Sequence, residues 1–278
     1  MIFDVHIHVQ PWEMLKSDVL SMLEKTMNPG VRETLASPKN LLRWMDSEGI
    51  DRACLINYVS PEVMGFGKAS IDWIATFTAG HRDRLLPVGS VHPHVTPDVA
   101  AETNRILDLG IRLVKVHPPH QVIAANAYRH GIEKQAELYR ICQERGVPVM
   151  FHTGTSIFPR ARNVHADPMP IDDVAIDFPR LKIILAHAGR PLYGETAYFL
   201  ARRHVNVRLE ISGIPPKTLL EHVPKLPSIA DKVLWGTDWP SPGVRSPRAN
   251  VEAFRALGLG ETVERQILWE NAAELFGE

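Results

Sequence analysis

The sequence predicts a single α/β domain in which eight parallel strands and their connecting helices form a (β/α)8 barrel. Short apolar runs rich in β-branched residues recur along the whole chain, and helix-like segments separate them. This alternation is typical of parallel βαβ units. Nearly every run also ends in histidine, lysine or aspartate. Because a barrel gathers such side chains at the carboxyl ends of many strands, this pattern favours a barrel over an open doubly wound sheet.

The predicted strands are Ile2–His6, Ala53–Tyr58, Leu86–Val91, Ile111–Val116, Val147–Phe151, Ile183–Ala186, Val205–Ile211 and Val233–Trp235. Helices are predicted between them, among others at Pro38–Glu48, Thr96–Leu109 and Ile132–Arg145, and glycine follows each of these three near its end. Two connections, Pro11–Ser37 (the first loop segment) and Gly154–Pro170 (the second loop segment), are longer than a minimal loop and are predicted to cover a site or bind substrate. No linker or repeat divides residues 1–278, so one domain is expected.

The composition indicates a small-molecule partner. The 278 residues carry a formal net charge of -1, which gives no reason to expect nucleic acid or an anionic membrane surface. Because the first residues show no basic region followed by an apolar run, and no later run approaches the ~20 residues that a membrane helix needs, we expect neither a secretory leader nor a membrane helix. Cys54 and Cys142 lie in apolar segments, which suits a reducing compartment, so we expect a cytoplasmic protein. A homodimer is the default expectation for its assembly.

Candidate metal ligands stand at the ends of three predicted strands. The first strand contains His6 and His8, and residues two apart on a strand point to the same side. His152 ends the fifth strand and Asp238 follows the eighth. A lone His-x-His pair is as typical of half-buried histidines, and a lone aspartate is typical of a turn. Their joint occurrence at strand ends favours a shared metal.

Three imidazoles and one carboxylate suit a single divalent cation, with zinc as the first expectation and manganese as the alternative. Such a metal lowers the pKa of its bound water from about 15.7 to about 7, which makes hydroxide available at neutral pH. His187, at the end of the sixth predicted strand, then remains for proton transfer or for orienting that water.

Five motifs in this order resemble the amidohydrolase superfamily, and within it the branch that includes aminocarboxymuconate semialdehyde decarboxylase and related hydrolases, hydratases and decarboxylases. They are Asp4-Val5-His6-Ile7-His8, Phe151-His152-Thr153-Gly154, His187-Ala188-Gly189, Gly236-Thr237-Asp238-Trp239-Pro240 and Trp269-Glu270-Asn271-Ala272-Ala273-Glu274-Leu275-Phe276. The resemblance covers essentially the whole chain. It implies a TIM barrel of the metallo-dependent hydrolase type, with His6, His8, His152 and Asp238 as metal ligands. It also implies that His187 acts on the bound water and that Asp238 doubles as a proton acceptor.

The fourth predicted strand ends in Lys115, followed by His117. Some amidohydrolases carboxylate a lysine of this strand to bridge two metals, and Lys115 could do the same. The branch that the sequence resembles favours one metal, which leaves Lys115 as a cation at the barrel mouth that binds substrate or pairs with a carboxylate. His117 would face the same side of the strand and is a second candidate for substrate binding.

The predicted active-site loops are rich in cations and aromatic rings. Arg190 lies three residues after His187, and Trp239 adjoins Asp238, so both are predicted to bind substrate. Weaker candidates are Trp12, His92, Arg160, Arg162, Arg245 and Arg248. Because the planar guanidinium of arginine binds carboxylates in a bidentate manner, we expect a carboxylate-bearing substrate with a ring to stack.

These residues leave two reactions open. The first expectation is hydrolysis of an amide, ester or lactone bond in a small carboxylated molecule, and the compact chain favours it over the longer decarboxylases of the branch. The alternative is non-oxidative decarboxylation of an aromatic or unsaturated acid at the same metal. A barrel that only binds a ligand is disfavoured, because both proton-transfer candidates, His187 and Asp238, are present.

Overall fold

The computed structural model describes residues 1–277, and in it eight parallel strands follow one another in sequence order around a barrel. The strands are β1 (Phe3–His8), β2 (Arg52–Ile56), β3 (Leu85–Gly89), β4 (Leu113–Val116), β5 (Val149–His152), β6 (Ile183–Ala186), β7 (Val207–Glu210) and β8 (Val233–Leu234). The segment after β8 closes the barrel against β1, because the His8 amide donates to the Trp239 carbonyl at 2.8 Å. The predicted (β/α)8 barrel is therefore confirmed.

Helices connect the strands and surround the barrel. They are α1 (Ser17–Thr26), α2 (Val31–Thr34), α3 (Pro38–Glu48), α4 (Lys68–Phe77), α5 (Val99–Asp108), α6 (Pro118–Gln121), α7 (Lys134–Glu144), α8 (Ile171–Asp177), α9 (Gly194–Arg203), α10 (Leu219–His222), α11 (Pro247–Arg255), α12 (Glu261–Arg265) and α13 (Asn271–Phe276). None of the helices within residues 1–277 is long and apolar enough to cross a membrane.

Each predicted strand overlaps an observed one. The bounds of Ile183–Ala186 are as predicted, and those of the other strands differ by a few residues. The predicted helix Pro38–Glu48 is α3, where the Ser37 hydroxyl accepts from the Asn40 amide at 3.2 Å and Gly49 adopts a φ of 75° at the carboxyl end. A side-chain acceptor before the helix and a left-handed glycine after it are the signals that made this helix predictable. Strand β8 is shorter than predicted because the Trp235 amide donates to the Ile267 carbonyl instead of to a neighbouring strand.

The alternation of side chains along the strands decides which of them enter the barrel. Val114 and Val116 of β4 pack in the larger hydrophobic cluster, together with residues of the surrounding helices. Successive strand residues point to opposite faces, so Lys115 between them faces the barrel interior, where it is 1% exposed. A buried cation at this place can only be tolerated if counter-charges or a ligand face it.

The two loop segments are partly helical and contact each other. The first contains α1, α2 and a 3-10 turn at Trp12–Met14, and the second contains a 3-10 turn at Asn163–His165. Nη2 of Arg160 in the second segment lies 2.7 Å from Oδ2 of Asp18 in the first. Both segments also contribute side chains to the cavity described below.

Candidate active site

The carboxyl ends of the strands surround a cavity of about 400 Å³. All the residues predicted from the sequence as metal ligands or proton-transfer groups line it, namely His6, His8, His152, His187 and Asp238. They come from β1, from the end of β5 and from the segments that follow β6 and β8. The barrel thus brings together residues that are up to 232 positions apart in the chain.

Three of the four predicted ligands form a tight group. The donor atoms of His6, His8 and Asp238 lie within 4.8 Å of one another, with Oδ1 of Asp238 at 3.1 Å from Nε2 of His8 and 3.6 Å from Nε2 of His6. His152 lines the same cavity outside this group. Nε2 of His152 and Nε2 of His6 are buried without a hydrogen-bond partner among residues 1–277. Buried polar atoms normally have partners, so this donor set fits a divalent cation.

A glutamate that the sequence analysis missed supports the first ligand. Oε2 of Glu210, at the end of β7, lies 3.0 Å from Nδ1 of His6, and both side chains are fully buried. An acceptor on Nδ1 places the proton there and leaves Nε2 free to bind a metal. Burial raises the pKa of Glu210 to about 7, although the Lys115 ammonium opposes the shift. Glu210 ends an apolar run just as the predicted site residues do, so the same signal could have identified it.

Glu210 also orients His187, through the hydroxyl of Ser212. The Ser212 hydroxyl donates to Oε2 of Glu210 at 2.9 Å and lies 2.9 Å from Nδ1 of His187. Because that hydroxyl hydrogen is used, His187 holds its proton on Nδ1 and turns Nε2 away from Ser212. Burial holds the pKa of His187 well below its ordinary value. A neutral imidazole in this position can accept a proton.

Asp238 carries the negative charge of the site. Burial alone would raise its pKa, but the hydrogen bond with His8 and the nearby His6, His8 and Arg190 hold the pKa well below its ordinary value. Nη2 of Arg190 lies 3.3 Å from Oδ2. The residue has a left-handed backbone with φ of 66°, which is uncommon for aspartate and concentrates at functional sites. Its amide donates to the His6 carbonyl at 2.9 Å, which holds the two residues together.

Two cations face the cavity. Nζ of Lys115 is buried without a hydrogen-bond partner in the described part of the chain, and burial lowers the pKa of Lys115 to about 8 against the attraction of Glu210 and Asp238. Arg190 lies against Gly213, where a Cβ would come within 2.5 Å of the guanidinium Nε. His117 lines the cavity beside them. The cavity is therefore lined by three of the residues predicted to bind substrate, Lys115, His117 and Arg190.

Trp239 does not line the cavity. Its indole stacks on that of Trp44 in α3, with ring centroids 3.9 Å apart, and it is 2% exposed. The Trp239 carbonyl accepts from the His8 amide of β1, and the indole packs against α3 instead of facing the cavity. This position does not suit the predicted role in substrate binding.

The weaker candidates also lie outside the cavity lining. They are Trp12, His92, Arg160, Arg162, Arg245 and Arg248. The Arg160 guanidinium pairs with Asp18 instead, and that of Arg248 donates to the Ser47 carbonyl. Of the loop arginines named from the sequence, Arg190 alone lines the cavity.

The remaining walls are largely apolar, and no motif in the sequence indicates most of their residues. The first loop segment contributes Met22 and Met27, the second contributes Phe158, and Met64 and Phe66 follow β2. Tyr58 and His120 are among the polar lining residues that were not predicted. The site therefore combines a polar end, made of the histidines and Asp238, with apolar walls wide enough for a small ring.

Comparisons with known proteins agree with the barrel fold. The family described as amidohydrolase matches residues 3–277. No match was found among curated proteins. Among solved structures, an uncharacterised TIM-barrel protein from Bordetella bronchiseptica is similar, with a TM-score of 0.79, 23% identity and coverage of 99% of this chain and 98% of that one.

Two further similar structures are decarboxylases of aromatic acids. A 5-carboxyvanillate decarboxylase from Novosphingobium aromaticivorans, in complex with manganese and 4-hydroxy-3-methoxy-5-nitrobenzoic acid, has a TM-score of 0.71 and 17% identity, covering 100% of this chain and 96% of that one. A 2,6-dihydroxybenzoate decarboxylase in complex with 2,6-dihydroxybenzoate has a TM-score of 0.69 and 19% identity, covering 100% and 98%. At this level of identity the likeness concerns the fold.

Proposed function

Because the chain belongs to the amidohydrolase family, we propose that it is a metal-dependent enzyme that decarboxylates a small aromatic or unsaturated carboxylic acid without oxidation. The observation that carries the proposal is the division of the cavity into a polar end with an unsatisfied donor set and walls that are largely apolar. The aromatic-acid decarboxylases among the similar structures support this reaction better than the hydrolysis that the sequence analysis placed first.

The residues that would hold the metal are His6, His8, His152 and Asp238. One divalent cation, manganese or zinc, suits these ligands. When bound, it would supply a positive charge that anchors and polarises substrate oxygen atoms. Manganese is supported by its presence in the similar 5-carboxyvanillate decarboxylase. Glu210, through Nδ1 of His6, would keep this ligand oriented.

The substrate would lie with its ring between the apolar walls and its oxygen atoms toward the polar end. Arg190 and Lys115 provide the positive charges that select an acid. Arg190 pairs with Asp238 at 3.3 Å, and a planar guanidinium can bind a carboxylate with its remaining N–H groups. The apolar walls around the ring exclude bulk water from the polar end, which strengthens the electrostatic interactions there.

The proposed reaction breaks the bond between the ring carbon and the carboxylate carbon. The electron pair stays on the ring carbon, carbon dioxide leaves, and the ring carbon takes up one proton. Asp238 is held ionised by its neighbours, so it first accepts a proton from water or a substrate hydroxyl and then delivers it to carbon. His187, neutral and fixed by Ser212, stabilises the developing charge by hydrogen bonding.

The test combines metal analysis with product analysis. Purified protein should contain about one manganese or zinc per chain, and two metals per chain would instead support Lys115 as a bridging ligand. The loaded protein is incubated in D2O with hydroxybenzoates and unsaturated acids, and separately with lactones, esters and amides. We expect release of carbon dioxide and one deuterium on the carbon that held the carboxylate.

Asp238→Asn should abolish this release, whereas Asp231→Asn serves as the control because Asp231 is exposed outside the cavity. Cleavage of a lactone, ester or amide without release of carbon dioxide from any acid would contradict the decarboxylase proposal and support hydrolysis as the reaction.

A further inference from the structure

The imidazole of His120, in α6, lies between two hydroxyl groups at the wall of the cavity. Oη of Tyr58 is 3.0 Å from its Nδ1, and Oγ of Ser156 is 2.7 Å from its Nε2. The ring is stacked on that of His117 with centroids 3.7 Å apart, and it packs edge to face with the Phe158 ring, with centroids 5.0 Å apart. His120 is 1% exposed, so its orientation is fixed by packing as well as by hydrogen bonds.

We assign the direction of these hydrogen bonds from Ser156. Its oxygen accepts from the Phe158 amide at 3.3 Å, and we assign its own hydrogen to the bond with Nε2 of His120, 2.7 Å away. A neutral imidazole that accepts at Nε2 carries its proton on Nδ1. Nδ1–H then donates to the Tyr58 oxygen. A phenol hydroxyl that accepts this bond still has its own hydrogen to donate.

Among residues 1–277, the hydroxyl of Tyr58 makes its hydrogen bond with His120, so its own hydrogen is available to a ligand in the cavity. Tyr58 lines the cavity, and its ring centroid is 6.3 Å from that of His8, so the hydroxyl belongs to the same space as the proposed metal ligands. Met64 and Phe66, which line the cavity too, offer no donor.

We infer that Tyr58 is a specificity-determining residue that donates a hydrogen bond to an oxygen substituent of the substrate, distinct from its reacting carboxylate. The inference rests on the proposed function, since it assumes that an acid with an apolar ring occupies the cavity. His120 and Ser156 are positioning residues that direct the Tyr58 hydrogen inward. Ser156 lies in the second loop segment, so the position of that segment and the orientation of the donor are coupled.

The first test reads the tautomer of His120. Protein labelled with 15N-histidine is loaded with zinc, which is diamagnetic, and two-bond 1H–15N correlations are recorded, with His120→Gln assigning the signals. We expect a protonated Nδ1 and an unprotonated Nε2. The opposite tautomer would overturn the inference, because Tyr58 would then donate to His120 and have no hydrogen for a ligand. This spectrum needs no substrate and no turnover, so its outcome is independent of the decarboxylase proposal.

The second test measures selectivity with two probes of matched size. 3-Methoxybenzoate offers an ether oxygen where 3-ethylbenzoate has a methylene group, and both carry the same carboxylate. The wild-type protein should bind the methoxy compound about tenfold more tightly, as measured by calorimetry. This ratio of Kd values corresponds to the net free energy of about one hydrogen bond. Tyr58→Phe should reduce this ratio to about one while leaving the affinity for 3-ethylbenzoate within about twofold.

Tyr128→Phe is the matched control, because the Tyr128 hydroxyl bonds Asp177 outside the cavity. It should keep the wild-type ratio. A ratio of one in the wild type, or an unchanged ratio in Tyr58→Phe, would overturn the role of Tyr58. Binding ratios do not depend on the release of carbon dioxide, so failure of the decarboxylation assay with the ratio intact would separate the two proposals.

Discussion

Nδ1 of His6 and Oε2 of Glu210 lie 3.0 Å apart inside the barrel, and neither side chain is exposed. The two residues come from β1 and β7. Glu210 also accepts from the Ser212 hydroxyl, which orients His187. One buried carboxylate therefore orients both His6, a proposed metal ligand, and His187, the proposed stabiliser of the developing charge. Its removal should affect both.

Glu210→Gln should lower the affinity for manganese or zinc by about 10–100-fold, the usual effect of losing the carboxylate behind a histidine ligand. Glutamine keeps the size of the side chain but loses the charge that favours a proton on Nδ1 of His6. The measurement is a competition titration against a fluorescent chelator. Glu221→Gln on α10, exposed and outside the cavity, is the matched control. Equal affinities of wild type and Glu210→Gln would contradict this role.

His152→Ala should abolish stabilisation by metal. A cation that binds only the folded protein stabilises it by about 2.7 kcal/mol at a concentration 100 times its Kd, so the Tm of the wild type should rise on addition of manganese or zinc. The variant lacks a proposed ligand whose Nε2 is otherwise buried without a partner among residues 1–277, and its Tm should stay unchanged. Thermal unfolding with and without chelator measures the difference.

The control for this experiment is His130→Ala, which removes an exposed histidine outside the cavity. It should show the full wild-type response to metal. A rise in Tm that persists in His152→Ala would place the metal among His6, His8 and Asp238 alone, since these donor atoms already lie within 4.8 Å of one another.

Gly236→Ala should disturb the proposed metal site while leaving most of the barrel intact. A Cβ at Gly236 would lie 2.3 Å from Oε1 of Glu210 and 2.8 Å from Cβ of His6. Relief of such overlap in a packed interior costs about 1–3 kcal/mol and moves the side chains involved. We expect a metal affinity at least about tenfold weaker, measured by the same competition titration.

Gly67→Ala tests whether any added methyl group has this effect. No atom lies within 4 Å of a Cβ there, and the φ of Gly67 is -106°, which alanine adopts without strain. This variant should bind metal as the wild type does. A Gly236→Ala variant with wild-type affinity would mean that His6 and Glu210 can shift without loss of the site.

The sequence predicted the barrel and the polar end of the cavity because both depend on local patterns. Strand-like runs predict the order of the sheet, and polar residues where the runs stop indicate the proposed ligands, such as His152 and Asp238. The fold then brings strand ends together regardless of their separation in the chain. Glu210 followed the same pattern and was overlooked, since a single glutamate in a strand is also typical of a solvent-facing position.

The apolar walls and the Tyr58–His120–Ser156 chain could not be predicted in this way. They depend on how two long connections fold back over the barrel, and no periodic pattern specifies that. Trp239 marks a second limit, because its adjacency to Asp238 in the sequence does not bring its side chain into the cavity, and its indole packs against Trp44 instead. Neighbours in sequence share a site only when the local backbone turns both side chains to one side.

His92 should make the stability of the protein depend on pH in the acid range. It is 3% exposed, and burial, with His94 and Lys134 nearby, lowers its pKa to about 4. In the unfolded chain the pKa of His92 has its ordinary value near 6.5. Between about pH 6.5 and 4, His92 is therefore protonated in the unfolded chain but not in the folded protein. Stability should fall as the pH falls through this window, because the state that binds more protons is favoured by acid.

The contribution of His92 is on the order of 2 kcal/mol across the window. It is measured by urea unfolding of metal-free wild type and His92→Gln at pH 7.5 and at pH 4.5, since the variant has no group to protonate there. The loss on acidification should be smaller in His92→Gln than in the wild type. His130→Gln, at an exposed position, should lose as much stability as the wild type. Equal losses in wild type and His92→Gln would show that the folded protein protonates His92 as readily as the unfolded chain does.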